Sequence, residues 1–414
     1  LQEYIFENNF KLIYKHTDSE LTSICISIDA GAGVENEKYG VAHATEHMVY
    51  KGTRNRTEKQ INEDLTNVFG FNNAMTNYPY VIYYGTLLGP DLEKGLELLS
   101  DIIINPTFGD DGFKEEMDVI KQELEEWDEE LEQYCEDKLF FNCFNSRRIK
   151  YPIIGTKNSL ESMTLSDIKK FYNKYYFPQN TSIVVISSRE FEKVKYIINK
   201  YFGQWKVKLD KNDGSNKLNC KKIEYEYPKV EVLNNKRNGI KTCRVEIICP
   251  IDNLTSIEMK SLRIFNQYFG EGVNSLLYDI LRTENGLIYD VITKIANENY
   301  IKLYKITFNT AKQNVDKAIS LIKECIGKVE LSQYHIDRMQ MEQLIKSFKL
   351  KRLFREEQSI VLAKELATYD SMFGDYKIYI DEINGLDELT EEMIFEVGKK
   401  VLKNLSIQII EVCS

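Results

Sequence analysis

Histidine is scarce in this chain: 414 residues carry only four. Any device built from imidazoles must use very few residues, and two of the four, His43 and His47, stand four apart. Long apolar runs are missing as well. None approaches the roughly 18 residues of a membrane span, so no membrane association is expected. The opening residues, Leu1 to Asn9, have neither a basic n-region nor an apolar h-region. No signal peptide is visible there, and a cytoplasmic compartment is the expectation. Positive charge is in deficit, with a net charge of −10. Phosphate binding needs a basic surface, so no nucleic-acid partner is expected. The cysteines at 25, 135, 143, 220, 243, 249, 325 and 413 contain no CxxC pair. Reduced core residues are the expectation.

What is present allows substantial cores. The apolar fraction is 43%, with 26 Tyr and 20 Phe, and the length implies about two domains. Apolar–polar alternation over 3–15 around Glu7-Asn8-Asn9 predicts a hairpin, and 21–30 a β-branched strand. A helix over about 39–50 follows and closes at Lys51-Gly52-Thr53. Thr57 opens a second helix. Strands at Asn72–Thr76 and Tyr80–Leu88 come next, then a helix to about Ile104. The acidic stretch 111–145 reads as one long helix. Thr164 caps a helix over 164–176, and Ile183–Ser188 is a short buried strand.

The pattern fails between Gly203 and about Lys229, where Asp213-Gly214-Ser215-Asn216 is loop chemistry. Beyond it the order repeats: strand 241–249, helices 254–269 and 274–284, strands 287–297 and 300–309, helix 311–327, then helices at 331–352, 356–372 and 390–402. The halves also end alike. Thr164 and Asn180 open a helix and the strand after it in one, Thr390 and Asn404 those in the other. A duplicated unit of about 200 residues explains this. The expected fold class is α+β, with domains 1–205 and 230–414 joined by a linker, 206–229.

Only the first half carries the histidine pair. In His43-x-x-Glu46-His47 the two rings are about 400° apart along a helix, so they share one face within about 40°. Glu46 lies on the same face, beside a metal without being spent as a ligand. This reads as a zinc site with its general base. A catalytic zinc takes three protein ligands and keeps one position open. Glu116, Glu123 and Glu130, seven apart, share a helical face with Ile120 and Trp127. A carboxylate on such a face is paired or metal-bound, which leaves all three as candidates. Glu115, Glu125, Glu126 and Glu129 fall elsewhere and read as solvated. His16 and His335 have no partner pattern and read as ordinary histidines.

His43-x-x-Glu46-His47 followed by Glu116-x-x-Val119-Ile120-x-x-Glu123 resembles the pitrilysin/insulinase family of inverted-zincin metallopeptidases, whose signature is HxxEH. Further landmarks follow in order: Lys51-Gly52-Thr53, Asn73-Ala74, Ile154-Gly155-Thr156, Tyr175-Tyr176-x-Pro178-x-Asn180, Gly270-x-Gly272-x-Asn274-Ser275 and Leu281-Arg282 through Tyr289. The resemblance spans the chain, and the layout is nearest to mitochondrial processing peptidase subunits and bacterial relatives. Ile186-Ser187-Ser188 departs from the family's usual Gly-Asp.

The resemblance implies two homologous domains, each a mostly antiparallel sheet with helices on one side, forming half of a clamshell chamber. It implies one zinc per chain on His43, His47 and Glu123, the last 76 residues beyond His47 (123 − 47 = 76). Glu116 would orient the ligand set. Glu46 would activate a zinc-bound water and pass its proton to the leaving amine. Arg282 and Tyr289 would contact substrate or the developing oxyanion, and Asn73 and Ala74 would pair with an extended peptide. The implied activity is a zinc endopeptidase acting on unfolded peptides in an enclosed chamber, as a homodimer. The alternative is a non-catalytic partner subunit of a heterodimeric processing peptidase.

Overall fold

The computed structural model describes residues 1–36, 38–206, 223 and 225–413. The expected linker, 206–229, lies mostly outside them, as does Cys220. The chain forms two compact units. One holds Leu1–Glu125, Tyr151–Ile223 and Arg355–Ile380; the other holds Glu126–Lys150, Glu224–Phe354 and Asp381–Ser414. Neither unit is continuous in sequence: each half of the chain lends a helical segment to the other's unit. No helix among the described residues is long and apolar enough to cross a membrane.

The first unit is built on a six-stranded sheet: β1 (Gln2–Ile5), β2 (Lys11–His16), β3 (Leu21–Ile28), β4 (Phe69–Thr76), β5 (Val81–Leu88) and β6 (Thr181–Ser187), in the order β1-β2-β6-β3-β5-β4. All pairs are antiparallel except β2 with β6. The expected hairpin is β1–β2, with Asn9 at φ 63 in its turn. The second unit has β7 (Val232–Arg237), β8 (Cys243–Pro250), β9 (Ile288–Ala296), β10 (Leu303–Thr310) and β11 (Ser406–Val412), in the order β7-β11-β8-β10-β9. Here too only one pair, β7 with β11, is parallel. Dropping β1 makes the two orders superimpose strand for strand: the last strand of each half inserts beside the first. Both sheets follow from a duplication, and the fold class is α+β as expected.

The central strands β3, β5 and β6 are buried on both faces, which is why they read as nearly continuous apolar runs. Ile13, Cys25, Ile82, Tyr84, Val184 and Ile186 point to one face, where the helix Ser359–Phe373 packs Leu362, Ala363, Leu366 and Ala367 against them. The two alanines allow close approach. The opposite face, with Ile26, Tyr83 and Val185, belongs to the helices of the first half; Tyr83 bonds there to Tyr176 at 2.9 Å. In the second unit the helix Leu131–Cys143 lies on β8 and β11. Each sheet thus carries helices on one side, and one further helix from the other half of the sequence closes the opposite face.

Three local expectations fail for identifiable reasons. The stretch 111–145 is two helices, Asp110–Glu129 and Leu131–Cys143, because Glu130 turns extended at φ −69, ψ 111. Residues 331–337 are not helical; the helix starts at Arg338. Strand β7 was not expected, since an exposed edge written Val-Leu-Asn-Asn-Lys-Arg has no apolar alternation to read. Among the described residues, six cysteines are buried and unpaired, as expected of core thiols.

One polar cluster fixes the chain that leaves the histidine helix. Arg56 bonds Asp64 at 2.9 Å, Glu97 at 3.0 Å and Asp101 at 2.9 Å. Thr53 and Asn55 also donate to Asp101, which is nearly buried. Arg56→Ala leaves those carboxylates without their cation. We expect a loss of about 2–3 kcal/mol in urea unfolding; an unchanged midpoint would contradict the role.

Candidate metal centre

The histidine helix, Val41–Met48, is nearly all buried, so its entry must be fixed internally. Gly40 precedes it at φ 90, and the Glu35 carboxylate accepts from the amides of Gly40 at 3.1 Å and Ala42 at 2.8 Å. An anion at a helix N-terminus satisfies otherwise orphaned donors. A side chain on Gly40 would meet the Ile154 carbonyl at 2.3 Å, and one on Gly155, at φ 100, the Tyr39 carbonyl at 2.5 Å. That close crossing explains why Ile154-Gly155 is a landmark so far from the histidines.

On this helix His43 and His47 face the same way, ring centroids 4.5 Å apart. The helix Asp110–Glu129 brings up Glu123, whose carboxylate oxygens lie 3.7 Å from Nε2 of His43 and 3.7 Å from Nε2 of His47. All three ligand atoms fall within 4.8 Å of one another. A tetrahedral zinc with bonds near 2.0–2.2 Å separates its ligand atoms by roughly 3.3–3.6 Å. The triad is therefore close to a zinc set, one small contraction away. The donor chemistry agrees. Burial, and then the neighbouring His47, hold His43 down to about 3, so its ring is neutral and able to donate a lone pair. Its Nδ1 is buried without a hydrogen-bond partner among the described residues, an orphan that a metal on Nε2 would not relieve.

Glu116 stands behind the triad. His47 donates from Nδ1 to Glu116 Oε1 at 2.7 Å, which leaves Nε2 free to face Glu123. Lys51 lies 3.2 Å from the other Glu116 oxygen and 2.8 Å from Glu58. The His47 bond, opposed by burial and reinforced by Lys51, keeps Glu116 below the usual carboxylate range. Burial opposes the His47 cation, but Glu116 and its neighbours outweigh it and raise the imidazole. Lys51 was read from sequence as the end of a helix and part of a landmark, not as a partner of Glu116. Its position one turn beyond His47 was the available signal.

Glu46 is almost fully buried. Burial lifts it to about 7, against the opposing pull of a Thr76 hydroxyl that donates to it at 2.5 Å. A carboxylate near 7 is well matched to moving protons at neutral pH. Of the three heptad glutamates, Glu130 is outside the helix and exposed, and takes no part. Glu115, Glu125, Glu126 and Glu129 are exposed as expected, as are His16 and His335.

Asn73 and Ala74 lie on β4, which is the open edge of its sheet. The Asn73 side-chain oxygen accepts from the Ala74 amide at 2.9 Å. Arg282 and Tyr289 belong to the second unit. There the guanidinium lies 4.5 Å from the centre of the Tyr289 ring and donates to the Tyr289 carbonyl, and the tyrosine is 81% exposed.

Two imidazoles and the Glu123 carboxylate could hold a metal ion, and a buried carboxylate, Glu46, stands beside them. The comparisons agree. The family description "Insulinase (Peptidase family M16)" matches residues 11–157, and "Peptidase M16 inactive domain" matches 162–343. The chain belongs to the insulinase family of peptidases, and its second half is the half without the histidine motif. An uncharacterized zinc protease of Rickettsia felis is 23% identical, covering 95% of this chain and 93% of its own. The mitochondrial-processing peptidase subunit beta of Caenorhabditis elegans is 28% identical over 48% of this chain and 44% of its own. The crystal structure of a protease from Helicobacter pylori has the same fold, with a TM-score of 0.85 at 17% identity and 99% coverage of both chains.

Proposed function

We propose that this chain is a zinc-dependent endopeptidase that hydrolyses unfolded peptides, with His43, His47 and Glu123 holding one zinc ion. The observation that carries the reading is the convergence of that triad beside a buried carboxylate; the zinc-protease names of relatives support it. A zinc ion there would supply Lewis acidity, polarising a carbonyl and making water acidic enough to lose a proton near neutral pH.

The chain's own residues do the rest. Glu46 accepts a proton from water and delivers it to the departing amine. Glu116 holds the His47 ring by Nδ1, and Lys51 keeps Glu116 ionised. The free side of β4 offers backbone donors and acceptors to an extended peptide, which gives affinity with little sequence selectivity. Half-buried Arg282 and exposed Tyr289 carry donors suited to a peptide carbonyl or a developing oxyanion.

Chelation tests this reading. Protein stripped of metal should lose turnover of a fluorogenic peptide and regain it on adding one equivalent of zinc. Turnover indifferent to chelator, or restored by no metal, would sink the proposal.

A further inference from the structure

Thr76 is the last residue of β4, and its side chain is buried while those of Asn73 and Ala74 are more open. Its hydroxyl donates to Glu46 Oε2 at 2.5 Å. The place of Thr76 on the strand has a geometric consequence. In an antiparallel pair the amides point alternately toward the partner and away from it. The Asn77 amide reaches the Tyr80 carbonyl at 2.8 Å, so Asn77 faces β5 and Thr76 faces the open edge. Ala74, two residues back, faces the same open edge. The Glu46 carboxylate is therefore docked on the end of the edge to which an extended peptide would add.

We propose that Thr76 is a positioning residue for Glu46, its hydroxyl setting the carboxylate where β4 ends, so that a peptide pairing at Ala74 meets the base one step further on. This rests on the peptidase reading above. It goes beyond that reading by giving a role to a residue that touches neither the metal ligands nor, directly, the peptide. A hydroxyl 2.5 Å from one oxygen fixes where the carboxylate sits, and without it the carboxylate is free to swing. Displacing a proton-transfer group by about 1 Å can cost about a hundredfold in rate. The pairing positions at Asn72 and Ala74 are untouched by a change in the Thr76 side chain, so affinity should hardly respond.

The test compares the wild-type chain with Thr76→Val, Thr76→Ser and Glu46→Gln, each loaded with zinc and assayed on one fluorogenic peptide. Thr76→Val keeps the size and removes the hydroxyl. We expect kcat to fall about 10–100-fold with KM within about twofold, and zinc content by metal analysis to match wild type. Thr76→Ser, which restores the hydroxyl, should recover kcat to within about threefold. Should the valine variant not fold, Thr76→Ala takes its place in the same comparison. Full kcat without the hydroxyl, a serine variant as impaired as the valine one, a change confined to KM, or lost zinc would each overturn the inference and leave the peptidase reading standing. A wild-type chain no more active than Glu46→Gln would overturn both.

Discussion

Glu46→Gln should lower peptide turnover by about 10²–10⁴-fold, the usual worth of a positioned acid–base group. The replacement is nearly isosteric. Its side-chain oxygen still accepts from the Thr76 hydroxyl, and the triad of His43, His47 and Glu123 is untouched, so zinc content should stay at the wild-type level. What disappears is the ability to take and return a proton. Stability should move the other way. Burial raises the folded-state value of Glu46 to about 7, so the metal-free fold is penalised as pH climbs from the usual glutamate range through that value. Metal-free Glu46→Gln should escape this penalty. Its advantage over wild type should be absent at acid pH, grow towards neutrality and level off above it, as read by urea unfolding across pH. Equal turnover in the two proteins would return the chain to the alternative reading, a non-catalytic partner subunit.

Glu123→Gln should all but abolish zinc binding, and the contrast with Glu116→Gln is the informative part. Among the described residues, Glu123 is the one carboxylate grouped with both histidines as a possible ligand. Its removal leaves two imidazoles and no anionic ligand for a dication. Glu116 acts through His47, so its loss should cost about 10–100-fold in affinity, with residual activity when zinc is in excess. Competition against a chromophoric chelator measures both. Equal losses at the two positions would mean that the assignment of ligand and support is wrong. A milder loss at Glu123 than at Glu116 would reverse it.

Much of this was legible in residue order. The HxxEH spacing, the seven-residue step from Glu116 to Glu123 and the apolar Ile120 between them located a metal site, and the structure brings those side chains together. The duplication was visible as matched helix caps and matched final strands, and the two sheets share one topology. Other features had no local signal. Glu130 kept the heptad phase yet fell outside the helix, because periodicity reports which residues share a face and not where a backbone turns extended. β7 was hidden because it is an edge strand with mostly polar residues.

Residue order placed His43, Glu46 and His47 on one helical face, because helical spacing is a local property. Tertiary structure decided that Glu123 stands beside those two rings, that Lys51 and Glu116 brace His47, and that Thr76 reaches Glu46 from thirty residues away. It also decided that each sheet is closed by a helix from the opposite half of the sequence. These depend on which elements pack against one another, and burial, with its demand that every enclosed polar group find a partner, acts only once they do.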